Sequence, residues 1–158
     1  MKVINNRIIE NVISKAQTSP RKRMNHNFHE DFSDPIQRFL NAWEPGSYLQ
    51  PHRHLNPPKR EVFLVLQGWF AVATFDDDGS ILEKFILDPA KGNFAVELAA
   101  GEWHTVIPLE TGSVAYELKD GPYDPIDDKD FAPWAPKEGE EGCDEYNQRI
   151  LKEFDNYS

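Results

Sequence analysis

The sequence predicts an all-β fold, a sandwich or barrel of short strands, with a helix ahead of it and an acidic tail behind. Three observations predict it. From Gln37 onward, short apolar runs are separated by turn signals at intervals of roughly ten residues. The chain carries 12 prolines and 9 glycines, the residues that tight connections between strands require. No helical period interrupts the stretch from 37 to 119, which argues against a parallel α/β sheet. At 158 residues, the whole of 1–158 is expected to form one domain, with a core barrel over about 37–119.

Each element has its own signal. Ile4, Ile8, Ile9, Val12, Ile13 and Ala16 recur at helical spacing, so 4–17 reads as an amphipathic helix ended by Ser19-Pro20. In RKRMNHNFH the period changes to two: Arg23, Asn25, Asn27 and His29 share one parity and Met24, His26 and Phe28 the other, so helix and strand together occupy 4–30. Strands follow near 37–43, 47–54, 61–66, 69–75, 81–87, 94–98, 103–108 and 113–119. Between them stand Glu44-Pro45-Gly46, Asn56-Pro57-Pro58, Gln67-Gly68, Asp76-Asp77-Asp78-Gly79, Asp88-Pro89, Ala100-Gly101 and Thr111-Gly112. The remainder, 120–158, turns to proline and acid and cannot build a core alone; Tyr123, Phe131 and Trp134 are expected to fasten it to the barrel as an extended tail. Tyr146, Ile150, Leu151 and Phe154 fall on one face, which predicts a last helix from about Asp144 to Phe154.

Composition excludes some functions. No apolar run approaches the length of a membrane span, and the N-terminus lacks the pattern of a signal peptide. The single Cys143 leaves no internal disulfide and fits a reducing compartment, so the cytoplasm is the expected location; Cys143 itself has no evident catalytic partner. A net charge of −10 argues against nucleic acid as a partner. The charge is uneven: residues 1–60 carry ten basic and five acidic side chains, and residues 120–158 four and twelve. A basic excess in the histidine-bearing half would suit an anionic small molecule, although a solvated surface is the plainer account.

The chemistry gathers in PHRHLNPPKREVFLVLQG, residues 51–68. On a strand, His52 and His54 project to one face and Arg53 to the other. That pair alone is more often two exposed polar residues than a metal site. The wider spacing is more specific: Gly46, five residues, His52-x-His54, then Glu61, six residues, Gly68, and later Gly101, two residues, His104. This resembles the two signature motifs of the cupin superfamily. The resemblance implies a cupin double-stranded β-helix, a jelly-roll barrel, in which His52, His54, Glu61 and His104 bind one divalent metal ion. Two departures stand out. The gap from His54 to Glu61 is six residues, LNPPKR, longer than the common pattern, and Ala99 replaces a proline in the second motif. Three neutral imidazoles and a carboxylate can hold a first-row ion with positions left open, and they do not discriminate among Fe, Mn, Ni, Cu and Zn.

Further phrases, RKRMNHNFH, PIQRFLNAWEPGSYLQPHRH, EVFLVLQG, GEWHTVIPLE, ELKDGPYDP and DFAPWAP, resemble the WbuC family of cupin-fold metalloproteins from about Arg21 to Pro136. This implies a metal-binding protein associated with bacterial surface-polysaccharide and O-antigen biosynthesis, and it leaves the reaction open. One expectation is a metal-dependent enzyme on a sugar or nucleotide sugar, such as an isomerase or epimerase. The alternatives are a sugar-binding or regulatory protein without turnover and an iron-dependent oxygenase. Isomerisation needs a proton carrier, for which His29, Glu117 and Tyr116 are candidates. The apolar parity Val114, Tyr116, Leu118 also allows Glu117 to be a solvated surface residue. Arg23, Asn25 and Asn27 are candidate substrate-binding residues if their parity faces inward, and Trp103, beside His104, a candidate lining of the mouth. A homodimer is expected, with the N-terminal strand adding to a neighbour's sheet.

Overall fold

A computed structural model describes residues 1–125 and 128–154. Helix α1 (Asn6–Thr18) starts where the Asn5 side chain accepts a hydrogen bond from the Ile8 amide, and stops at Ser19, whose backbone is extended ahead of Pro20. Ten strands follow: β1 (Arg23–Asn27), β2 (Ile36–Trp43), β3 (His52–Arg53), β4 (Glu61–Gln67), β5 (Phe70–Phe75), β6 (Ile81–Leu87), β7 (Ala95–Leu98), β8 (Trp103–Pro108), β9 (Ser113–Asp120) and β10 (Asp130–Phe131). Helix α2 (Cys143–Lys152) comes last.

The strands form two five-stranded antiparallel sheets, ordered β1-β2-β9-β4-β7 and β10-β3-β8-β5-β6. Side chains from both, among them Trp43, Phe63, Phe70, Val72, Leu87 and Val106, interdigitate between them as the barrel core. Each sheet is also covered outside. Val12 and Ala16 of α1 pack on Leu40, Ala42 and Val114 of the first sheet and on Phe28, just past the end of β1. Tyr146, Ile150 and Phe154 pack on Ala71, Ala73, Phe75 and Ile107 of the second. Each large apolar side chain so buried contributes about 1.5–3 kcal/mol before ordering entropy is counted. This is the expected jelly roll, with a helix at either end of the chain and the tail fastened across one sheet.

Gly68 shows why the turn before β5 needs glycine. Its φ is +72°, and a Cβ there would meet Ser113 Oγ at 2.2 Å. The predicted strand 47–54 shrinks to His52–Arg53. Residues 47–51 are buried, but their carbonyls are claimed from elsewhere: Asn147 Nδ2 donates to Ser47, Arg23 to Tyr48, Thr105 Oγ1 to Leu49, His52 Nδ1 to Gln50 and the Ala132 amide to Pro51. Strand β10, unforeseen in the sequence, pairs with β3 and seals this edge. Among the described residues no helix is long and apolar enough to cross a membrane.

Candidate metal centre

His52 of β3 stands opposite His104 of β8, with ring centroids 4.4 Å apart. Pleating turns Arg53 outward, where its guanidinium lies 4.3 Å above the Trp103 ring, and returns His54 to the inner face. Glu61 opens β4 in the opposite sheet, its backbone paired with Lys119 of β9, and meets the histidines across the barrel. The longer loop 55–60 leaves Glu61 in place because the Glu61-to-Gly68 strand keeps its length. One ligand atom from each of His52, His54, Glu61 and His104 lies within 4.8 Å of all the others, and all four residues are buried.

The ring orientations fit a metal. His52 Nδ1 faces the Gln50 carbonyl at 3.1 Å and His104 Nδ1 the Glu102 carbonyl at 2.9 Å, while His54 Nδ1 faces the carbonyl of Asp128. A carbonyl only accepts, so each ring carries its proton on Nδ1 and presents a bare Nε2 to the cluster. His54 Nε2 and His104 Nε2 lie 3.1 and 3.0 Å from the Glu61 oxygens without hydrogen-bond alignment. Buried His54 Nε2, His104 Nε2 and Glu61 Oε2 accordingly have no hydrogen-bond partner. Converging lone pairs with no donor between them are what a divalent cation would satisfy. Burial, with the charge of Lys129, holds His52 well below the usual imidazole range and keeps it neutral.

The other flank of Glu61 is built of charges. A cavity of about 630 Å³ runs outward from His52 and Glu61, lined among others by Glu117, Lys119, Asp128 and Lys129. Asp128 accepts from Lys59 Nζ at 2.7 Å and from Lys119 Nζ at 2.6 Å, and Lys119 Nζ stands 3.9 Å from Glu61. Glu117 accepts from Asn41 Nδ2 at 3.1 Å. Burial, then the charge of Glu61, pushes the Glu117 carboxyl up to about 8, so near neutrality it holds its proton.

The predicted site residues divide by face. Arg23, Asn25, Asn27 and His29 line the cavity, with Met24 of the other parity beside them, and His29 Nδ1 meets the main chain of Arg38. Arg23 is largely occupied, donating to Tyr48 O, Ser47 Oγ and Glu138. The expectation of Glu117 on a solvated face is corrected: it is 6% exposed and points inward. The apolar parity of β9 serves α1 instead of the core, which turns the polar parity to the cavity. For the same reason Tyr116 leaves the list of proton carriers; it packs against Phe28 and α1. Trp103 also lies outside, donating from Nε1 to Asp77 and packing on Trp134. Sequence reasoning missed Lys59, Lys119, Asp128 and Lys129. Lys119 shares the parity of Glu117 and could have been found with it; nothing local marks the other three.

Fold and site together define a cupin-type jelly roll with a buried cluster of three histidines and one glutamate arranged as a metal site would be. The chain belongs to the family described as Domain of unknown function (DUF6016), whose model matches residues 4–87, just over half of it. No curated protein matches it in sequence. Solved structures similar in fold include the capsular polysaccharide assembling protein CapF from Staphylococcus aureus, at 21% identity and TM-score 0.55 over 75% of this chain and 33% of that one. KdgF from Halomonas sp. matches at 20% identity and TM-score 0.51, over 68% of this chain and 85% of that one. A cupin superfamily protein from Desulfitobacterium hafniense matches at 15% and 0.52, over 69% and 86%. The chain thus spans about a third of CapF and most of the other two.

Proposed function

We propose that the protein is a metal-dependent enzyme that moves a proton on a sugar or nucleotide sugar, an isomerase or epimerase in cytoplasmic surface-polysaccharide biosynthesis. The observation that carries this reading is the placement of Glu117, a buried carboxyl holding its proton, on the wall of the cavity that leads to Glu61 and His52. A divalent ion held by His52, His54, Glu61 and His104 would polarise a substrate carbonyl or enediolate oxygen. Glu117 Oε in its ionised fraction would take the proton from the carbon next to the carbonyl and return it from the carboxyl so formed, Asn41 fixes that carboxyl through the 3.1 Å contact, and Asn25 and Asn27 at the mouth offer donors and acceptors to hydroxyls. The polysaccharide setting comes from the resemblance to the WbuC family; CapF supports it by fold alone.

The test is incubation of the metal-loaded protein with a panel of nucleotide sugars in deuterated water. Turnover with solvent deuterium at the carbon next to the carbonyl, lost in Glu117→Gln, is the expected outcome. Binding without exchange or turnover would favour the sugar-binding reading, and dioxygen consumption with an iron-loaded sample the oxygenase. The reading includes a homodimer formed through the edge strand β1; a monomer mass by light scattering at micromolar concentration would overturn that part.

A further inference from the structure

Three ammonium groups stand at the polar end of the barrel, and two have their carboxylate. Lys59 and Lys119 both rest on Asp128. Lys129 lines the cavity, and among the described residues no carboxylate lies within ion-pair distance of it. It shares that cavity with His52, Glu61, Glu117 and Asp128, and burial lowers its pKa against the opposing charges of Glu61 and Glu117, so an ammonium there lacks the counterion that would hold its proton.

The charge balance of this end is lopsided. Glu61, Glu117 and Asp128 face Lys59, Lys119 and Lys129, so with all six ionised the fixed charges cancel. A divalent ion at the histidines would leave two positive charges unanswered in a largely buried volume, and a protonated Glu117 adds a third. At the mouth Arg21 and Arg23 share the single carboxylate of Glu138, at 2.6 and 2.8 Å. Charge buried without a counterion is costly, and a cleft of one sign concentrates ligands of the other.

We infer that the cavity binds an anionic group of its substrate, a carboxylate or a phosphoryl group, on Lys129 beside the metal centre. The sugar probes used to test this rest on the reading of the site given above; the anion itself does not.

Isothermal titration of the metal-loaded protein compares glucose with glucuronate and glucose 6-phosphate, and ethylene glycol with glycolate. The anionic member is expected to bind at least tenfold more tightly than its neutral counterpart, and whichever of glucuronate and glucose 6-phosphate gains more identifies the group. Lys129→Met should remove at least tenfold of that advantage while Lys129→Arg keeps most of it, with metal content and unfolding midpoint recorded for both variants. If no sugar binds but glycolate does in a Lys129-dependent way, the anion site stands and the sugar reading falls. Equal affinity within every pair, an absence of binding in all of them, or an anion preference unchanged in Lys129→Met would overturn the inference.

Discussion

The two flanks of the Glu61 carboxylate are built on different principles. On the imidazole flank, His52 and His104 are each oriented by a carbonyl two residues earlier in the chain, just ahead of their strands, so the pleat and one local hydrogen bond deliver the ligand. On the ammonium flank, Lys59, Lys119 and Asp128 come from three separate segments and hold one another by charge. A neutral ligand set needs no partner in order to be buried, whereas buried cations do. The comparison teaches that the imidazole flank can be emptied without losing the fold, and the ammonium flank cannot.

The largest effect should therefore be chemical and the next structural. His52→Ala combined with His54→Ala is expected to take bound metal from one ion per chain to none by elemental analysis, with a far-ultraviolet circular dichroism spectrum unchanged from wild type. Retained metal would break the assignment of ligands; loss of the fold would break the comparison. Asp128→Ala should do the reverse. It strands two buried ammonium groups and is expected to cost about 3–5 kcal/mol of stability in urea unfolding. A loss below about 1 kcal/mol would mean that water reaches Lys59 and Lys119 and that the flank is not sealed.

The same division explains what could be read in the sequence. The histidine motif, Glu61 and the strands around them were legible because pleating and turn chemistry act over a few residues; Gly46, Gly68 and Gly101 adopt φ of +82°, +72° and +82° as their turns demand. The loop 55–60 looked like surplus length, yet it brings Lys59 to 2% exposure beneath the site. Asp128 and Lys129 sit in an acidic tail whose composition says nothing about what it packs against, and only the docking of β10 on β3 brings them to the cavity. Glu117 was misread for a related reason: alternation shows that two faces differ and does not say which one is inside when a helix covers the other.

The pH dependence of stability sharpens the electrostatic side. Glu117 titrates near 8 in the folded chain against an ordinary value of 4.5, so between those values the folded state binds the extra proton. The stability this confers is complete below about 4.5 and is lost as pH rises through 8. Glu117→Gln removes this titration. Relative to wild type, the metal-free variant should gain about 2 kcal/mol between pH 6 and 8, measured by denaturant unfolding at each pH. Parallel curves for the two proteins would show that Glu117 is solvated after all. Metal should flatten the wild-type curve, because neutralising Glu61 weakens the second cause of the shift.

The smallest effect concerns the residue next door. Tyr116 packs edge-on against Phe28 at 5.9 Å, beneath α1, and its hydroxyl makes no hydrogen bond among the described residues. Tyr116→Phe keeps the ring and removes only that hydroxyl, so stability should change by no more than about 0.5 kcal/mol. Metal content and turnover should stay at wild-type levels. Glu117→Gln, one residue along the same strand, should lower turnover at least about 100-fold, the usual size of a lost general acid or base. Measured side by side, the two variants test the parity of β9 directly, since a slip of one residue exchanges their positions between the cavity and the helix. A large kinetic loss in Tyr116→Phe, with Glu117→Gln near wild type, would reverse the assignment of inside and outside on which the proton-transfer role depends.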